Sequence, residues 1–307
     1  MTKRAITNKA ASVRQLLLNQ ARDTGRPFNE LLQYFAMERF LYRLSKSPHA
    51  GKFALKGALM LTVWKAPISR PTMDIDVLGR TDNSIDNIVS IIEDLCLQSV
   101  EPDGLMFDPA SVQGQRIIED ADYHGIRIRF RGNLDTARIT LQFDVGFGDA
   151  VVPGVRQARF PTLLDFPKPV IQAYSKESTI SEKLEAMVKL GALNSRMKDF
   201  FDIWLLSRLY DFKGQILAKA IVTTFETRKT EIPEKLAALT KTFSNDEAKI
   251  VQWRAFLRRS RLDDVPGHLS DIITAIHEFL EPVIDAASAH VPFRGEWKAP
   301  GPWSSHQ

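Results

Sequence analysis

Between Met73 and Leu78 the chain reads MDIDVL, apolar residues alternating with aspartates. That alternation suits a half-buried β-strand, whose side chains point to opposite faces in turn. Met73, Ile75 and Val77 then enter a core, while Asp74 and Asp76 share the other face. Carboxylates placed side by side repel each other unless a cation lies between them. A hard divalent ion such as Mg2+ suits the place, since it takes one or two carboxylates together with substrate phosphates. A solvated strand face explains the same two aspartates, and about one D-x-D is expected by chance in a chain of this length. Just upstream, FALKGALMLTVW predicts a short strand at Lys52–Leu55, a turn at Lys56-Gly57 and a helix over Ala58–Trp64. Pro67 and Pro71 bracket a loop before the aspartates.

The rest of the chain sets the frame. Residues 9–24 and 28–46 have helical periodicity and are separated by the turn signal Gly25-Arg26-Pro27. Helical spacing returns over Ser84–Gln98, and Arg116–Ile118, Gly125–Arg131 and Arg138–Phe147 read as strands. Pro153 to Pro169 reads as loop. Beyond Ser175 strand signals fade, and helices are expected over Glu177–Gly191, Lys198–Tyr210, Gly214–Arg228, Asp246–Arg259 and Leu269–Leu280. The expected division is a mixed α/β part over residues 1–175, a helical domain over 176–290 and an irregular tail over 291–307.

Composition excludes several classes. With 44% hydrophobic and 25% charged residues, the 307-residue chain is expected to be a soluble globular protein of one large or two ordinary domains. No apolar run reaches the roughly 18 residues a membrane span needs. The basic N-terminus lacks the apolar core of a signal peptide, so cytoplasm is the expected compartment. Cys96 stands alone, which excludes an internal disulfide and a cysteine zinc cluster. A net charge of +4 is compatible with a polyanionic partner without requiring one. Two clusters are more pointed: Arg127, Arg129 and Arg131 alternate on one strand face, and Arg254, Arg258, Arg259 and Arg261 lie beside Trp253. Solvated basic faces account for both equally well.

A third acid sits on a suitable strand. In ARITLQFDVGF, Ile139, Leu141, Phe143 and Val145 share one face, and Thr140, Gln142 and Asp144 the other. Asp144 could complete a metal cage with Asp74 and Asp76, holding two ions about 3.5–4 Å apart to clamp a phosphoryl displacement. Further on, SEKLEAMVKLGALNSRMKDFFDIWLL offers Ser181 as a helix cap and Lys183 as a triphosphate contact. Asp199 and Asp202 lie one turn apart beside Lys198, with Arg196 suited to bidentate phosphate contact. An ordinary amphipathic helix explains each of these charges singly.

Taken in order, KGALML, RPTMDID, FDVGFGD and EKLEAM…NSRMKDFFDIW resemble the AbiEii/AbiGii toxin family of nucleotidyltransferases, within the DNA polymerase β-like superfamily. The resemblance runs from about Tyr34 into the helical C-terminal part. It implies an α+β fold: a polymerase β-like core, with a mixed sheet flanked by helices, followed by a helical C-terminal domain. It also implies that Lys56, Gly57, Ala58, Lys189, Lys198, Asp199 and Asp202 bind nucleotide; Arg196, by its chemistry, and Thr72, as a hydroxyl two residues before Asp74, are further candidates. Asp74, Asp76, Asp144 and Lys183 would be catalytic, the three aspartates holding Mg2+, or Mn2+ in its place. The implied substrate is an NTP, whose NMP passes to an acceptor, RNA and in particular a tRNA 3′ end being the first to test. A cognate antitoxin encoded nearby, or a role in phage defence, follows from the same resemblance. A protein nucleotidylyltransferase, a sugar-nucleotide transferase and an inactive nucleotide-binding module are the alternatives. One departure bears on the last: the family has Gly-Ser or Gly-Gly-Thr/Ser in the phosphate turn, whereas here Gly57 is followed by Ala58 and Leu59, with no hydroxyl.

Overall fold

The two N-terminal periodic segments fold where their spacing predicts, as α1 (Lys9–Thr24) and α2 (Phe28–Lys46). Asn8 caps α1 by accepting from the Ala11 amide, and Gly25, with φ +69°, ends it in a left-handed turn. Next come β1 (Phe53–Lys56), α3 (Leu59–Val63), β2 (Asp74–Gly79), α4 (Ile85–Leu97), β3 (Leu105–Asp120), β4 (Tyr123–Leu134), β5 (Ala137–Phe147), β6 (Arg156–Arg159) and β7 (Val170–Ala173). The structure, a computed structural model, describes residues 8–67, 70–120 and 123–304. Residues 68–69 of the loop expected between Pro67 and Pro71, and residues 305–307 of the tail, lie outside the described residues.

The chain divides into two units, Met1–Gly148 with Arg156–Ala173 and Asp149–Val155 with Tyr174–Gln307. The first holds a seven-stranded mixed sheet in the order β3-β4-β5-β2-β1-β7-β6. β2 runs parallel to β5 and β1 parallel to β7, and the other pairs are antiparallel. One sheet face is the core: Phe53, Leu55, Ile75, Val77, Ile126, Ile128, Phe130, Leu141, Phe143 and Val145 pack there with α1, α2 and α4. Phe40 of α2 stacks near Phe107, Phe130 and Phe143 at centroid distances of 4.6–5.9 Å. A one-residue slip of any central strand would turn this apolar set outward, so the register is firmly specified.

α2 departs from a simple amphipathic helix. Its residues from Leu31 to Leu44 are all buried, Glu38, Arg39 and Arg43 among them. Asp103 makes that possible for the arginines, taking Arg39 at 3.2 Å and Arg43 at 2.7 Å, while Arg39 also donates to the Pro167 carbonyl. The segment expected as loop between Pro153 and Pro169 contains the edge strand β6, and β3 begins well before Arg116 with an irregularity between Asp108 and Gln113.

The second unit is helical: α5 (Lys176–Leu190), α6 (Met197–Leu209), then β8 (Phe212–Lys213), α7 (Gly214–Thr227), α8 (Lys241–Ser244), α9 (Glu247–Ser260) and α10 (Leu269–Ser288). α10 continues through Pro282, eight residues beyond the expected end at Leu280, because Val283, Ile284, Ala286 and Ala287 keep its apolar stripe buried. The tail, expected to be irregular, adds β9 (Glu296–Trp297) and β10 (Trp303–Ser304), which form a small sheet with β8. Trp297 is part of that core and donates its indole N–H to the Ser207 carbonyl at 2.7 Å. No helix among the described residues is long and apolar enough to cross a membrane.

Candidate metal and nucleotide site

The sheet brings the three predicted acids together. β2 lies between β1 and β5, and the register sets Asp76 beside Lys56 on one side and Asp144 on the other. Asp74 is level with Gln142, one residue pair along the same face. Each of Asp74, Asp76 and Asp144 offers a carboxylate oxygen, and these oxygens lie within 4.8 Å of one another. An ion of Mg2+ size holds ligands at about 2.1 Å in an octahedron, so neighbouring oxygens stand about 3 Å apart and opposite ones about 4.2 Å. Oxygens already within 4.8 Å of one another reach those separations by rotation of the carboxylates. Three hard oxygen donors converging from two adjacent strands therefore fit a hard divalent ion.

The surroundings fix each carboxylate. Thr72, expected as a phosphate contact, donates its hydroxyl to Oδ1 of Asp74. Gln33, on α2, donates to the carbonyls of Met73 and Thr140, both at 3.1 Å, and so ties the approach to β2 to β5. Burial raises the Tyr34 phenol above its ordinary range, against the neighbouring Arg26 charge and a hydrogen bond with the Thr72 backbone. Asp144 is buried and held by Arg127 of β4, whose Nε reaches Oδ1 at 2.9 Å and whose Nη2 reaches Oδ2 at 2.6 Å. Gln142 adds a hydrogen bond to Oδ2 at 3.1 Å. An ion at this site would share Asp144 with that guanidinium.

Gly57 is required twice over. Its φ of +72° is left-handed, and a Cβ placed on it would lie 2.1 Å from Oδ2 of Asp76. The Asp76 carboxylate thus rests against the glycine's bare Cα. The helix that follows is only five residues long, and its N-cap Ala58 makes no side-chain cap bond. The turn offers backbone amides and no hydroxyl.

The remaining predicted residues belong to the helical unit. Lys183, on α5, reaches Asp199 Oδ1 at 2.8 Å and Asp202 Oδ2 at 2.6 Å, both on α6. Arg196 meets Asp199 Oδ2 at 2.6 Å, and Lys189 meets Glu185 at 3.0 Å. Asp199 is fully buried; burial alone would raise its carboxyl, but Lys183 and then Arg196 outweigh it and hold the group below the ordinary range. Lys198 is exposed. Ser181, expected as a cap, lies inside α5 sharing a hydrogen bond with Thr224, and Ser175 is the actual cap. Arg228, unremarked in sequence, ties Asp149, Glu182 and Glu185 at 2.9, 3.5 and 2.9 Å. Nothing local marks Arg228, since its partners lie more than forty residues upstream.

A strand-borne acid triad beside a left-handed glycine turn is the arrangement of a phosphoryl- or nucleotidyl-transfer site. The family model "Nucleotidyl transferase AbiEii toxin, Type IV TA system" matches residues 39–283, and the chain belongs to that family. It is accordingly a nucleotidyltransferase and the toxin of a type IV toxin–antitoxin pair, with a nucleotide substrate and a cognate antitoxin. Among solved structures, JHP933 from Helicobacter pylori is similar at 16% identity, with 82% of this chain and 89% of that one covered and a TM-score of 0.44. A second, described as "putative nucleotidyltransferase from H. pylori", shares 15% identity over 82% and 92% of the two chains, with a TM-score of 0.43. No curated protein matches the chain.

Proposed function

We propose that the protein is a metal-dependent toxin that transfers NMP from an NTP to RNA, in particular to the 3′ end of a tRNA, in the cytoplasm. The convergence of Asp74, Asp76 and Asp144 within 4.8 Å on one open sheet face carries the reading. Asp74 and Asp76 would hold Mg2+, or Mn2+ in its place, with Asp144 as the third ligand. The ion, when bound, neutralises charge developing on the phosphates and lowers the pKa of a bound hydroxyl. The protein supplies the rest. Thr72 and Gln33 hold Asp74 and the entry to β2, Arg127 holds Asp144, and Gly57 leaves Asp76 its position. The Gly57–Ala58 turn and Lys56 are the proposed phosphate contacts. The acceptor hydroxyl attacks the α-phosphorus in line, forming a P–O bond as the bond to the departing pyrophosphate breaks. Positioning and electrostatics of this kind account for most of such a rate.

In the helical unit, Lys189, Arg196 and Lys198 are proposed triphosphate contacts, in a frame set by Lys183 with Asp199 and Asp202. The test uses each labelled NTP with total RNA. Label should enter RNA, and Asp76→Ala should lose both transfer and growth inhibition while melting as the wild type does. Undiminished growth inhibition by Asp76→Ala would overturn the catalytic assignment. Label in protein instead of RNA would make the acceptor a polypeptide.

A further inference from the structure

The face that carries the acid triad continues across β5 and β4 as a row of arginines. Cross-strand register pairs Arg127 with Asp144, Arg129 with Gln142, Arg131 with Thr140 and Asn133 with Arg138. Because Ile126, Ile128 and Phe130 on the other face are in the core, these arginines cannot turn away from the open face. Successive ones on β4 stand about 7 Å apart, and the row reaches roughly 20 Å from Asp144 to Arg138. Their charges are unequally compensated. Arg127 is taken by Asp144. Arg129 is bonded at 3.3 Å to Gln142, a neutral amide. Arg131 meets Asp108 at 3.2 Å, but its side chain is 67% exposed, and so open a pair contributes little. Among the described residues Arg138 is exposed with no ion-pair partner.

Along β4 and β5 the cations of this face are all arginine, and Gln113, Gln115, Asn133 and Gln142 stand among them, with Asp108 the acid opposite Arg131. Guanidinium forks match phosphate oxygens, and side-chain amides bond to phosphate and sugar. An exposed, linear row of this kind suits an extended polyanion. We propose that the sugar-phosphate backbone of an acceptor RNA strand lies along β4 and β5, its phosphates on Arg129, Arg131 and Arg138 and its terminal hydroxyl at the triad. This rests on the transfer reading above and assigns the acceptor its path.

The test is a triple variant, Arg129→Gln, Arg131→Gln and Arg138→Gln, beside the matching triple replacement by lysine. Binding of the full chain to a fluorescein-labelled single-stranded RNA is followed by anisotropy over a range of salt concentrations, without NTP. Each phosphate contact adds about 0.7 to the salt slope, so loss of three lowers it by about 2, roughly 100-fold in affinity at 0.1 M salt when the lines meet near 1 M. The lysine variant should keep the slope, and NTP affinity should be unchanged in both. An unaltered slope in the glutamine variant overturns the path even if label still enters RNA. No RNA binding by the wild type, with label entering protein, overturns both the path and the RNA reading beneath it.

Discussion

Gly57→Ala separates a backbone requirement from a site requirement at one residue. The first cost is conformational: with φ at +72°, an alanine pays about 1–2 kcal/mol for left-handed backbone. The second is steric. The new Cβ would lie 2.1, 2.8 and 2.9 Å from Oδ2, Cγ and Cβ of Asp76. Asp76 cannot retreat as a whole, because β2 is laddered to β1 and β5 on both sides. Relief comes from turning its side chain, which carries the carboxylate out of the triad by an ångström or more. A misplacement of that size costs about 100-fold in rate. The backbone cost lowers Tm by about 2–8 °C.

A double-mutant cycle with Asp76→Ala isolates the steric part. With the carboxylate gone, Gly57→Ala should cost its backbone strain and the remaining 2.9 Å contact with the Cβ that alanine keeps; with it present, more, and the difference is the clash with the carboxylate. Thermal melts of the four proteins, with transfer rates and divalent-ion affinities of the two that keep Asp76, provide the readout. Additive Tm changes, or a Gly57→Ala protein that transfers at the wild-type rate, would refute the idea that Asp76 depends on the bare Cα of Gly57.

Three further outcomes are expected. Glu38 is almost wholly buried, and burial pushes its carboxyl up to about 8 despite a hydrogen bond from the Leu163 amide. Its contribution to stability is full below about pH 4.5 and is lost as pH rises through 8, so Glu38→Gln should raise Tm at pH 9 and change it little at pH 5. The gain is about 5 kcal/mol at most, and a constant gap across that range would refute it. Lys183→Ala should destabilise by about 3–5 kcal/mol by leaving Asp199 and Asp202 buried without that cation. Denaturant midpoints measure it, and a loss under 1 kcal/mol would show the aspartates re-solvated. Arg127→Gln removes the guanidinium from Asp144, so Mn2+ should raise the variant's Tm more than the wild type's; an equal shift would mean that Arg127 and the ion do not compete.

How much of the fold was legible depended on whether one face alone was buried. α1, α4 and the first half of β5 each bury a single stripe, and periodicity located them to within a residue or two. α2 was located by its periodicity, but the burial of Glu38, Arg39 and Arg43 along with its apolar residues was not legible there. Asp103, which holds the two arginines, lies about sixty residues away in sequence, and the Leu163 amide that holds Glu38 lies farther still. β6 was hidden by prolines, which are tolerated around an edge strand that needs only one neighbour. The same division holds in the site. Alternation alone puts Asp74 with Asp76 on one strand face and Asp144 on the polar face of another strand; that the two strands are neighbours it does not say. The hold of Arg127 on Asp144, and the contact of Gly57 with Asp76, exist only once β4 is registered on β5 and β1 on β2.

The K-D-x-x-D segment shows why a motif residue's role does not follow from its presence. Asp199 and Asp202 are a turn apart, and that spacing fits a ligand pair facing solvent equally well with a pair facing a neighbouring helix. Burial decides between them: at 0% and 2% exposure, with Lys183 at 2.8 and 2.6 Å, the aspartates pin α5 to α6. Lys183→Ala would then weaken NTP binding by loosening a frame, whereas Lys189→Ala, which leaves Glu185 held by Arg228 and Thr230, would do so chiefly through direct contact. A fall in NTP affinity that tracks the fall in stability across Lys183→Ala, Lys183→Arg and Lys183→Met would assign Lys183 to the frame. Loss of affinity in Lys183→Arg at wild-type stability would return it to the nucleotide.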